Sequence, residues 1–174
     1  MKKYIFPIGC LLFVIVLVMV ITNFTQSEKP GDPKIIPGWK HVTFDHMGNS
    51  YYIDPNSMVN DGQTGDELRF HATFQKFYSE RGREEFAKAY SESITDMAVI
   101  ESIDHEIDVL YFRDLDGIKF VTSANAKFYK ADGTEIPALN MAVSFDEGKD
   151  FRPIPSKTIG ERLYDYAYTR VSKD

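Results

Sequence analysis

Apolar and polar positions alternate over Leu68–Tyr78, with Leu68, Phe70, Ala72, Phe74, Lys76 and Tyr78 on one side. Arg69, His71, Thr73, Gln75 and Phe77 take the other side, the pattern of a strand with one buried face. Trp39–Phe44 predicts a strand with Trp39, His41 and Thr43 on one face and Val42 and Phe44 on the other. His46–Asn49 is a turn, and Ser50–Asp54 a second short strand ended by Pro55. Asn60–Gly65 is expected to be a polar loop. The flanks of Asp114–Gly117, His105–Arg113 and Ile118–Tyr129, are rich in Ile, Val, Tyr and Phe, and give the strongest hairpin signal. A tight turn at Asp132–Gly133 leads into a short strand at Thr134–Ile136, and Met141–Phe145 adds an edge strand.

The period changes twice. Phe86, Tyr90, Ile94 and Met97 recur at helical spacing and predict a helix over Arg81–Met97, although Ser91, Ser93 and Thr95 weaken its second half. Near the end, Ile159, Leu163, Tyr166, Ala167 and Val171 line one face of a helix over Lys157–Val171. Thr158 and Glu161 fit a capping box, and Pro153 and Pro155 hold the approach extended. The fold class is α+β: an antiparallel sheet of about five or six strands, packed by the C-terminal helix and one mid-chain helix. No regular β-α-β alternation signals a parallel sheet.

The N-terminus follows a different pattern. Tyr4–Ile21 has no charge and would span about 27 Å as a helix, close to a bilayer's hydrocarbon thickness. Lys2 and Lys3 should stay cytoplasmic and send the C-terminal domain outward. Residues 1–22 are therefore read as a signal-anchor transmembrane segment, 23–38 as a flexible tether with three prolines, and 39–174 as an extracytoplasmic domain. The alternative is a signal peptide cleaved after Ser27, giving a secreted or periplasmic domain; the length of the run and the lack of a small-x-small site favour the anchor. Cys10 stands in an acylation-like Pro-Ile-Gly-Cys context, but nearly all the apolar run follows it, which favours an ordinary residue of a membrane helix.

Composition narrows the function. With 174 residues, 43 % of them apolar and 14 % aromatic, the chain can build one packed core. The net charge is −6, and Lys2 and Lys3 are the only charges in residues 1–27, which leaves about −8 for the rest. Such a domain suits neither nucleic acid nor an anionic membrane surface. Cys10 is the single cysteine, so the domain has no internal disulfide and no thiol nucleophile.

Five segments, in order, resemble those of one family. They are Trp39 at the first strand, Tyr51–Ser57 as an aromatic-x-Asp-x-x-Ser element, and Glu106-Ile107-Asp108 opening the central hairpin. Phe128–Gly133 then matches a Tyr-x-x-x-Gly turn, and Phe151-Arg152-Pro153-Ile154-Pro155-Ser156 the approach to the last helix. Together they resemble the surface-adhesin protein E family of small bacterial envelope proteins. Members carry one cysteine just after the Glu-x-Asp element and another near the C-terminus; here Val109 follows Asp108 and the last helix has none. The resemblance implies an antiparallel sheet packed by the C-terminal helix, in some members a homodimer, and no catalysis. The best-known member binds host matrix and serum proteins. In a cell with an outer membrane, an anchored domain would face the periplasm.

No catalytic, cofactor or metal site is expected. His41, His46, His71 and His105 show no zinc-protease spacing, although His41 and His71 could share a sheet face. Asp114-Leu115-Asp116-Gly117 and Asp146-Glu147-Gly148 read as turns rather than calcium loops. No nucleophile elbow or phosphate loop is present. Tyr164 and Tyr168 flank the apolar stripe of the last helix and are the candidate protein contacts, set against plain packing on the sheet edge or in a dimer. The expected function is a non-enzymatic, membrane-anchored binding or interaction module with a protein partner in the envelope or among host proteins. The alternatives are a periplasmic assembly subunit acting through self-association and, last, an enzyme using scattered His and Asp.

Overall fold

The computed structural model describes residues 32–90, 97–142 and 151–171; the apolar segment, most of the tether, Ser91–Asp96 and Asp146–Gly148 lie outside them. Among the described residues no helix is long and apolar enough to cross a membrane. The elements are β1 (Lys40–Phe44), β2 (Ser50–Ile53), β3 (Val59–Thr64), β4 (Glu67–Phe77), α1 (Glu80–Tyr90), α2 (Met97–Glu101), β5 (His105–Leu115), β6 (Ile118–Ser123), β7 (Asn125–Tyr129), β8 (Met141–Ala142), β9 (Arg152–Pro153) and α3 (Ile159–Val171).

The strands pair antiparallel throughout, along the path β1-β2-β4-β5-β6-β9. The spine is β4 with β5, which stay in register from Glu67↔Leu115 to Phe77↔His105. Each long strand divides its outer edge between two short ones. β4 takes β2 at Phe74–Phe77 and β3 at Glu67–His71. β5 takes β6 at Leu110–Leu115 and β7 at His105–Ile107. The sheet is thus six strands across along this path but has nine strands in all, because short strands share edges.

The alternation of β4 is realised, with Phe70, Ala72 and Phe74 buried on the helix-covered face. Other expectations change. Asn60–Gly65 is not a free loop: β3 pairs with β4, yet every β3 residue is exposed, so its ladder bonds hold it without an apolar signal. In β1 the register shifts between His41 and Thr43, a bulge that breaks the alternation. His41 and Phe44 then pack together with ring centroids 4.5 Å apart, while Thr43 turns inward and accepts a 2.8 Å hydrogen bond from Arg162 of α3. The hairpin after β5 turns on Asp116 and Gly117 alone, both at positive φ, the signature of a tight two-residue turn. Its return limb breaks at Ala124, separating β6 from β7. Thr134–Ile136 contributes a single bridge, Tyr129↔Glu135, before a 3₁₀ turn at Pro137–Leu139.

Two apolar clusters cover the inner face. In the first, α3 lays Ile159, Leu163, Tyr164, Ala167 and Val171 on Ile53, Phe70, Phe74 and Phe112. Phe70 and Phe112 stack at 5.0 Å, each fully buried side chain being worth about 1.5–3 kcal/mol. In the second, Phe86 and Tyr90 of α1 join Ile100, Ile103, Ala126, Phe128, Ile136 and Leu139.

Helix starts are fixed locally. Ser79 caps α1 by accepting from Gly82 N, and Thr158 caps α3 by accepting from Glu161 N. Glu161 reaches back to Lys157 N at 2.6 Å rather than to the cap residue, where Lys157 sits at φ 65°. The Asp45–Asn49 turn is tied to α1 through Asn49, wholly buried, whose Oδ1 accepts from Ser79 N at 2.8 Å.

Candidate functional site

Between the two apolar clusters lies a cavity of about 180 Å³. Phe74, Phe112, Ile159 and Leu163 line it from the first cluster, and Phe86, Tyr90 and Phe128 from the second. Two helices that pack on separate parts of one sheet face leave the space between their contact areas unfilled.

One end of this apolar space is charged. Antiparallel register places Tyr51 of β2, Lys76 of β4 and Glu106 of β5 side by side. Asp108, two residues along β5 and so on the same face, stands opposite Phe74. Asp45 closes this end from the β1–β2 turn. It accepts from Met47 N, Asn49 N, Asn49 Nδ2 and Tyr51 OH at 2.8–3.1 Å. Glu106 accepts a hydrogen bond from Tyr78 OH. Lys76 Nζ lies 4.0 Å from Glu106 Oε1 and 4.0 Å from the Tyr78 ring centroid, an ammonium held by a carboxylate and an aromatic face together.

Asp108 has no cation among the described residues; Asn125 N donates to its Oδ1 at 3.3 Å. Burial pushes its carboxyl up to about 7, opposed by a hydrogen bond from Ser123 and reinforced by the nearby charge of Glu106. Burial, then the Glu106 charge, likewise raises the phenol of Tyr78 well above its ordinary value.

The residues singled out from sequence fall elsewhere. Tyr164 is 1 % exposed and donates to Asp114 Oδ2 at 2.5 Å, so it has no side-chain area to offer a partner. Ile159, Leu163, Ala167 and Val171 are buried as expected, but Tyr166 is only half-buried and Tyr164 joins the buried face instead, packed on Phe70 and Phe112. Tyr168 stacks on Tyr164 at 5.6 Å and keeps 38 % of its surface exposed. Asp114 is doubly used, since its Oδ1 also accepts from Gly117 N at 3.0 Å, which suits a turn.

The outer sheet face carries His41, His71 and His105, while His46 lies in the β1–β2 turn. His41 packs against Phe44 and Tyr52, and His105 stacks between Phe77 and Tyr129. His71 lies against Tyr111 with its Nδ1 2.8 Å from Asp61. Among the described residues no three His, Cys, Asp or Glu are grouped to hold a metal.

No motif or spacing marks Lys76, Glu106, Asp108, Asp45, Tyr51 or Tyr78 as site residues. One signal was visible: Lys76 occupies an inward position in the alternation of β4, between Phe74 and Tyr78. Compared with models of known protein families and with curated proteins, the chain matches none.

Proposed function

We propose that the chain is a non-enzymatic binding module, anchored through residues 4–21 with its domain outside the cytoplasm, and that the cavity between the two apolar clusters is its binding site. The observation that carries this reading is the cavity itself: about 180 Å³, apolar along most of its wall and charged at one end. Pockets that orient a small ligand combine these features, with an apolar body for affinity and few polar groups for direction. The five segments that resemble the surface-adhesin protein E family agree with an envelope protein built for binding. The outward orientation is supported by Lys2 and Lys3 before the apolar run.

The test is titration of the full chain with 1-hexanol, followed by the methyl resonances of Leu110, Leu163 and Ile159. Saturable shifts at these residues, with none at the exposed Ile35, are expected. Filling the space by Ala126→Phe should abolish them. A response that is linear in alcohol, or equal in the variant, removes the cavity as a site. Protease cleavage of a C-terminal tag on intact cells, compared with spheroplasts, tests the location; protection in both would refute the outward orientation.

Self-association is the second reading, favoured by Tyr168 as an exposed ring stacked on a buried one. Since Tyr164 is a core residue, only Tyr168→Ala is a clean probe. A dimer in sedimentation that dissociates on that change would support it, and a monomer at all concentrations would exclude it.

A further inference from the structure

We propose that the cavity takes a primary-ammonium amphiphile, a small apolar body bearing one protonated amine that binds between Asp108 and Glu106. This rests on the cavity being the binding site, and adds the chemical class of what enters it. The size fits: about 180 Å³ compares with engineered apolar cavities of about 150 Å³ that admit benzene, so the apolar body should hold about six to eight heavy atoms. Phe74, Leu110, Phe112, Phe128 and Leu163 supply its surroundings.

The sign of the head group follows from the charges facing the space. Three carboxylates, Asp45, Glu106 and Asp108, line it against one cation, Lys76. Asp45 is saturated by Asn49, Tyr51 and backbone amides, and Glu106 already shares Lys76 and Tyr78. Asp108 is the carboxylate without a cation among the described residues, and it stands on the apolar wall opposite Phe74. A ligand ammonium there would complete an ion pair instead of leaving a half-buried charge alone. Glu106 and Asp108 lie on one face about 7 Å apart at their Cα atoms, so an ammonium paired with Asp108 also sits in the field of the Glu106 carboxylate. Lys76 already demonstrates the chemistry, its ammonium lying over the Tyr78 ring and facing Glu106.

Binding should depend on pH. Asp108 titrates near 7, so an amine that remains protonated binds more tightly at pH 8 than at pH 6. The other titratable groups facing Asp108 are Lys76 and Tyr78 from β4 and its end, Tyr51 and Asp45 from β2 and its preceding turn, Tyr90 from α1, and Glu106 from its own strand. The lining residues of β6, β7 and α3 carry no titratable group.

The experiment compares n-hexylamine, 1-hexanol and hexanoate on the full chain at pH 8 and moderate salt, by calorimetry with the same methyl resonances as position markers. Hexylamine is expected to bind about tenfold or more tighter than hexanol, and hexanoate weakest. Asp108→Asn should bring hexylamine close to hexanol, so that the affinity ratio of the two falls to about one. Ala126→Phe should abolish both. Equal binding of amine and alcohol overturns the head-group assignment while the cavity stands. Preference for hexanoate, or amine binding indifferent to Asp108→Asn, overturns it as well. Failure of all three probes overturns the cavity reading beneath it.

Discussion

The replacement Asp108→Asn should make the folded domain more stable at neutral pH and leave it almost unchanged in acid. The side chain keeps its shape and can still accept from Asn125 N, but it can no longer ionise. In the folded state burial lifts the carboxyl from 3.8 to about 7, so the native protein holds this proton more tightly than the unfolded chain does. The stabilising contribution of the proton is full below about pH 4 and is lost as pH rises through about 7. The displacement corresponds to about 4 kcal/mol at most. Solvent reaching the half-buried group through the cavity lowers this, and about 2–4 kcal/mol is the expected span. Urea unfolding of both proteins, followed by circular dichroism at pH 4, 6 and 8, gives the difference directly. Titrations remote from Asp108 are common to both proteins and cancel. This includes Glu67, whose carboxyl is lowered by Arg69 and Arg113 and whose stabilisation has the opposite pH trend. The stability gap should be near zero at pH 4 and reach its full size by pH 8. A gap that is constant across this range would refute a half-buried, unpaired carboxyl at this position.

Three further substitutions probe what holds the site. Gly82→Ala places a Cβ 1.9 Å from Asn49 Oδ1, so Asn49 must abandon its buried bonds to Ser79 N and Asp45, at a cost of about 2 kcal/mol or more. A double-mutant cycle with Asn49→Ala should show strong coupling, and additive effects would contradict the contact. Tyr164→Phe removes the hydroxyl bonded to Asp114 and should lower stability by about 1–2 kcal/mol, whereas Tyr168→Phe, which keeps the stacked ring, should cost clearly less; thermal melts that reverse this order would invalidate the placement of α3. Thr158→Ala loses the cap of α3, and unfolding experiments should show a loss of about 1 kcal/mol, with Thr158→Ser close to the parent protein.

Much of the sheet was legible because β4 and the β5–β6 hairpin obey simple rules. Phe70, Ala72 and Phe74 of β4 are buried at every second position, and the Asp-Gly pair marks a tight turn. What escaped has physical causes. A bulge at Val42 inverts the sides of β1 without changing composition, so counting by twos failed after one register shift. β3 is held by ladder bonds on an exposed edge and has no apolar period to read. Ile159, Leu163, Ala167 and Val171 of the expected α3 stripe are buried, and only Tyr166 gives way to Tyr164, which packs on Phe70 and Phe112 and bonds Asp114. The cavity was the least visible feature, because each cluster looks complete in its own segment. Ile159, Leu163 and Ala167 predict that α3 is covered, and Phe86 and Tyr90 predict the same of α1. Neither pattern states how far apart the two helices settle on a shared sheet. Lys76 is where sequence came nearest to the site. A lysine on the inward face of a strand must find a carboxylate, an aromatic face or solvent, and in this fold it finds the first two. Their position at one end of the gap between the clusters makes that gap a directional cavity: an apolar end that any small hydrophobe could fill, and a charged end that discriminates among head groups.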